Sequence, residues 1–207
     1  MQILHIDSSP KEDISNSRQL SRYCVAQLQA KYGNASVDYL DLAAEPIPHI
    51  DGLFAKATYT PKDQRSPDMV ARLAQSDALC ERVLAADVIV AGIPMHNWCY
   101  PSVFKVFIDQ ITRTDVTYGY LANGDIGGLL TRQKCIFITT RGADLAAPSP
   151  YQNMDALTPA LRAAFGFIGV EDMTFVDVQP LQFADQQAHH AAMQQGEADI
   201  RQVLAGV

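Results

Sequence analysis

Five short apolar runs, each followed by a segment with helical periodicity, constrain this chain more than any other feature. The runs are Gln2–Asp7, Ser36–Leu40, Asp87–Ile93, Lys134–Thr139 and Met173–Val178. Apolar runs that alternate with helices read as strands of a parallel sheet, buried on both faces. The helices are marked by spacing. From Ser17, Leu20, Cys24 and Leu28 fall on one face until Gly33 and Asn34 stop the pattern. Ser66-Pro67-Asp68 is a helix start, with a cap, a proline at the first position and an acid in the first turn. Met69, Leu73, Cys80, Val83 and Leu84 form the stripe behind it. Pro101–Arg113 carries Val103, Phe104, Phe107, Ile108 and Ile111 inward. Further helices are predicted over Met154–Phe167, ended by Gly169, and over Ala184–Leu204. Asp41–Arg65 and Thr117–Thr131 lack clear periodicity and read as irregular.

Right-handed crossovers leave few ways to arrange five such units. The reading is one α/β domain over residues 1–207, a flavodoxin-like five-stranded parallel sheet of order 2-1-3-4-5 with helices on both faces. Its switch point, where such folds bind ligands, lies between strands one and three. The loops after those two strands therefore share a crevice, and the loop after strand four borders it.

Each loop has a chemical reading beside a plainer one. Ser9, Ser15, Asn16 and Ser17 sit just before a helix, where hydroxyls and free N–H groups can hold a phosphate; equally, they cap that helix. No GxGxxG or Walker A pattern is present. In Pro94-Met95-His96-Asn97-Trp98, an indole can stack on a flat ring, an amide can pair with its edge, and an imidazole can donate a proton near neutral pH. The alternative is a turn with Trp98 in the core. Thr140, Arg141 and Gly142 offer a hydroxyl, a cation and a backbone N–H to developing negative charge, or make a glycine turn with a surface arginine. No histidine has metal-ligand spacing, so no metal is expected. Asp7 stands without the second acidic site that a phospho-receiver would need.

Composition limits the partners. The net charge of -7 argues against nucleic acid or an anionic membrane. No apolar run is long enough to span a bilayer, and the start of the chain shows no signal-peptide pattern. Cys24, Cys80, Cys99 and Cys135 form no CxxC pair and read as free thiols, three of them buried, which fits a reducing cytoplasm.

Taken together, the Ser9 and Ser15–Ser17 loop, Asp41-Leu42-Ala43-Ala44-Glu45-Pro46-Ile47-Pro48, Pro94–Trp98, Thr140–Ala143 and Phe165-Gly166-Phe167-Ile168-Gly169 resemble the FMN-dependent NADH-azoreductases, also called FMN-dependent NADH:quinone oxidoreductases. The likeness runs nearly end to end, and its specificity lies in the order of these motifs. It implies that Ser9, Ser15, Asn16 and Ser17 hold the FMN phosphate. Met95, His96, Asn97 and Trp98 would line the flavin ring, and Thr140, Arg141, Gly142 and Ala143 its pyrimidine edge. Further implications are a homodimer with Tyr120 reaching across the interface, and a substrate pocket walled by Trp98, Tyr120 and Phe165. The chain departs from the family at His96, where tyrosine is usual, at Trp98 for phenylalanine, at Thr140 and Ala143 of a Ser-Arg-Gly-Gly loop, and at Phe165, offset by one from an aromatic wall near Ala164. These changes fall where an acceptor would stack.

The activity so implied is two-electron transfer from NADH or NADPH, through bound flavin, to quinones and azo compounds in ping-pong order. His96 is the candidate proton donor. Arg141 or the Gly142 N–H is the candidate stabiliser of the anionic reduced flavin. Two readings from other classes stay open: a flavin-binding electron carrier, distinguished by flavin that NADH does not bleach, and a ligand-binding module of the same fold, distinguished by failure to take up FMN.

Overall fold

The structure, a computed structural model, describes residues 1–12, 14–146 and 148–206; Asp13, Ala147 and Val207 lie outside them. Strands β1 (Gln2–Asp7), β2 (Ser36–Asp41) and β3 (Val88–Pro94), with two later strands, β6 (Lys134–Thr140) and β7 (Asp172–Val178), form one sheet of order β2-β1-β3-β6-β7. Every neighbouring pair is parallel. In main-sheet numbering this is 2-1-3-4-5, the flavodoxin-like order.

Alternation along the strands divides the core. Leu4, Ile6, Ile89, Ala91, Cys135 and Phe137 face α3 (Pro67–Ala85), α4 (Ser102–Ile111) and α5 (Leu157–Phe167). Their chain neighbours Ile3, Val88, Val90, Ile136 and Ile138 face α1 (Asn16–Tyr32) and α6 (Gln186–Ala205). Three thiols sit in these layers; burial pushes Cys24 up to about 12 and Cys80 to about 11, and raises Cys135 as well.

The expected helix signals are in place. Ser66 Oγ accepts from Met69 N with Pro67 at the first helical position. Gly33 ends α1 at φ 62° and donates to Gln29 O. Two segments expected to be irregular hold regular structure. Within Asp41–Arg65 lies α2 (Gly52–Tyr59), capped by Asp51, which accepts from Phe54 N at 2.7 Å. At eight residues it is too short to show a period, and it is stabilised by Phe54 and Ala57 packing on Met69 and Leu73 of α3. Within Thr117–Thr131 lies an antiparallel hairpin, β4 (Tyr118–Tyr120) and β5 (Ile126–Gly128). Its turn holds Asn123-Gly124, with Gly124 at φ 87°.

Candidate functional site

A cleft of about 450 Å³ opens at the carboxyl edge of the sheet, at the β1–β3 switch point, within the usual size range of small-molecule sites. The loops after β1, β3 and β6 all reach it.

The first loop ends at Ser15, whose Oγ caps α1 by accepting from Arg18 N. The N–H groups of the first turn have no intrahelical acceptor, and no acidic residue stands in that turn to neutralise it. Ser9, Ser15 and Asn16 line the cleft. Ser17 does not. It is fully buried with its Oγ 3.1 Å from Ser15 Oγ, so it supports the cap from behind. The loop is held by Arg18, which donates to Ser9 O at 2.6 and 3.1 Å and to both oxygens of Asp41 at 2.7 Å. Gly92 of β3 lets the helix approach this closely: a Cβ there would lie 2.6 Å from Asp7 Oδ1 and 2.9 Å from Ser17 O.

The second loop is a two-residue hairpin. His96 and Cys99 exchange backbone hydrogen bonds at 2.8 and 3.0 Å, and the residues between them, Asn97 and Trp98, stand at φ 48° and 72°. Positive φ at both positions is the type I′ arrangement, which favours Asn-Gly. Asn97 suits its place; a tryptophan at the next position is strained, and such strain is characteristic of functional loops. The turn carries the half-buried Trp98 ring to the cleft wall, 5.6 Å from the ring of Tyr151. Met95 N donates to Thr140 O at 2.8 Å, which ties this loop to the next. Burial, and then the positive charge of Lys11, hold the His96 imidazole below its ordinary value.

The third loop corrects the expectation for Arg141. Its side chain is 2% exposed and pairs with Asp177 at 2.7 Å and Asp155 at 3.0 Å, with further bonds to Thr139 and Thr158. Two carboxylates balance the charge, so the guanidinium, although part of the cleft lining, braces the loop as a paired cation and not a free one. Thr140, Arg141, Gly142 and Ala143 line the cleft, and among the described residues the Gly142 and Ala143 N–H groups have no protein acceptor.

One further expectation changes. Phe165 is a core residue, 1% exposed, 4.9 Å from the Phe137 ring and 6.4 Å from Phe104, and it is not among the residues that line the cleft. Tyr120, expected to reach across a dimer interface, is 76% exposed on the hairpin and lies outside this chain's own cleft. The sequence reading also missed a cleft segment. Leu181, Gln182 and Phe183, after β7, fold back over Gly142, where Phe183 N donates to Gly142 O. A Cβ on Gly142 would lie 3.0 Å from the Gln182 Cβ and 3.2 Å from the Phe183 ring, so glycine permits this closure. The available signal was general: every strand of a parallel sheet delivers its following loop to the same edge. Lys11, Ile14 and Leu145 complete the lining.

This donor set fits FMN. The cleft has a helix N-terminus with serines and no acid in its first turn at one end, and flat apolar walls with backbone donors at the other. Such a fold and cleft define a flavodoxin-like protein, and residues 1–204 match the family described as flavodoxin-like fold. The FMN-dependent NADH:quinone oxidoreductase of Nostoc punctiforme is 37% identical over 203 residues, 98% of each chain. The chain belongs to that family. Solved structures agree in fold: the azoreductase AzrA has a TM-score of 0.90 at 20% identity over 100% of both chains. An FMN-dependent NADH-azoreductase from Bacillus anthracis, in complex with FMN, has 0.83 at 21% identity over 98% of both.

Proposed function

We propose that this chain binds FMN in the cleft and moves two electrons from NADH to quinones and azo compounds. The observation that carries the reading is the convergence of an unneutralised helix N-terminus and a strained Asn97–Trp98 turn on one crevice at the switch point. Bound there, FMN would supply the two-electron chemistry that links the nicotinamide to the acceptor, the two substrates using the site in turn (a ping-pong order). Ser9, Ser15 and Asn16 hold the phosphate, with Ser17 and Arg18 fixing their positions. Met95–Trp98 hold the ring, and the Gly142 and Ala143 N–H groups meet its electron-rich edge. His96 donates the proton that the reduced acceptor needs. Trp98, with Tyr151 packed beside it, forms the face against which a planar acceptor stacks.

The protein is proposed to act as a homodimer, in which the hairpin carrying Tyr120 completes the partner's pocket. Support comes from its exposed apolar side chains, Tyr120 at 76%, Ile126 at 59% and Leu121 at 40%. A cytoplasmic setting fits four free cysteines. Among the described residues no helix is long and apolar enough to cross a membrane.

The test is to add FMN to the purified chain, then NADH without oxygen, then a quinone. Tight FMN uptake, bleaching of the flavin by NADH and recovery of its colour with quinone are expected. Bound flavin that NADH leaves yellow would make the chain an electron carrier, and failure to bind FMN would make it a ligand-binding module.

A further inference from the structure

Lys11 has no part in the function proposed so far, yet it stands at the mouth of the cleft. It is exposed and lines the cleft, and its Nζ donates to Gln182 Oε1 at 3.1 Å, joining the first loop to the segment after β7. Its charge also reaches His96 on the second loop. Among the described residues it makes no ion pair, and the acceptor of its ammonium is neutral. Glu12, next in the chain, lines a separate polar pit with Arg18 and Arg22.

The surrounding charges sharpen the point. The described residues lining the cleft include no carboxylate. The other cation there, Arg141, is balanced by Asp155 and Asp177. The chain as a whole carries -7, a field that repels anions. A lysine with no ion pair among the described residues, in a cleft whose described lining holds no carboxylate, is a local exception to that field. The serine end at the α1 N-terminus already supplies donors for the flavin phosphate, so Lys11 faces whatever enters from solvent.

We propose that Lys11 recognises an anionic group on the molecule that docks in the cleft. That group is either the pyrophosphate of the nicotinamide nucleotide or a carboxylate or sulfonate on the aromatic acceptor. The inference rests on the cleft being the FMN and substrate site. An ammonium suits the role because its three donors can leave neutral Gln182 for a charged oxygen, which forms the stronger bond.

The experiment uses FMN-loaded wild type, Lys11→Gln and Lys11→Arg. Ligand binding is read from the change in flavin absorbance, at low and high salt, for two probe pairs: NAD⁺ against nicotinamide riboside, and naphthoquinone sulfonate against methylnaphthoquinone. In Lys11→Gln the anionic-to-neutral affinity ratio falls about tenfold in at least one pair, the scale of one charge-assisted hydrogen bond. Lys11→Arg restores it, and high salt shrinks the difference. A fall in the first pair assigns the lysine to the nucleotide, a fall in the second to the acceptor. Ratios that do not move overturn the proposal, as does a variant that loses only FMN affinity. If wild type takes up no FMN, the reading of the site fails; if it takes up FMN and the ratios stay fixed, only the role of Lys11 fails.

Discussion

At the scale of single residues, this site separates charge that is used from charge that is spent. Arg141 looks like a cleft cation in the sequence, but Asp155 and Asp177 balance it in the structure. His96 is the titrating group on the ring-facing loop. Burial and Lys11 depress it, so it stays neutral to a lower pH than an ordinary histidine near ~6.5. The sign follows for folding: its contribution is present above that ordinary value and is lost as pH falls, because the unfolded chain takes the proton first. For activity, reoxidation by quinone is expected to speed up only at a pH below the ordinary histidine range, where the depressed imidazole takes up its proton. His96→Gln should remove that limb and slow the step about 100-fold, a modest effect for a general acid. Stopped-flow reoxidation across pH checks this; an unchanged profile in the variant would rule His96 out as the donor.

At the scale of elements, the anion end depends on how closely α1 docks against β3. Gly92 sets that distance, since a Cβ would lie 2.6 Å from a buried carboxylate and 2.9 Å from a helix carbonyl. Gly92→Ala is therefore expected to displace the first turn, to cost about 1–3 kcal/mol of stability, and to weaken FMN binding. Urea unfolding and a flavin-fluorescence titration measure the two effects. Normal FMN affinity in this variant would show that the turn tolerates the shift. The main helices and strands were legible because each repeats its pattern over several turns or alternations. The short α2 and the three-residue strands of the hairpin were not. Their stability comes from contacts with α3 and α5, such as Phe54 on Leu73 and Tyr118 on Phe167, whose ring centroids are 4.8 Å apart.

At the scale of the whole molecule, the sheet has helices on both faces, and the β4–β5 hairpin leaves Tyr120 and Ile126 uncovered. If the hairpin is the dimer surface, Ile126→Lys should shift the protein from twice the chain mass toward the monomer in sedimentation. FMN affinity should fall with it. A monomeric wild type would remove this role. The sequence by itself determined the order of strands, the two-faced core and the crevice at the switch point, because hydrophobic periodicity and right-handed crossovers are local or near-local rules. The loops of Ser9–Asn16, Met95–Trp98 and Thr140–Ala143 were likewise legible as a site. Only the tertiary structure decided which of their charges are free, that Phe165 belongs to the core, and that Leu181–Phe183 close the cleft. Those outcomes depend on partners 14 to 171 residues away, as in Arg141–Asp155 and Lys11–Gln182, which no pattern along the chain encodes.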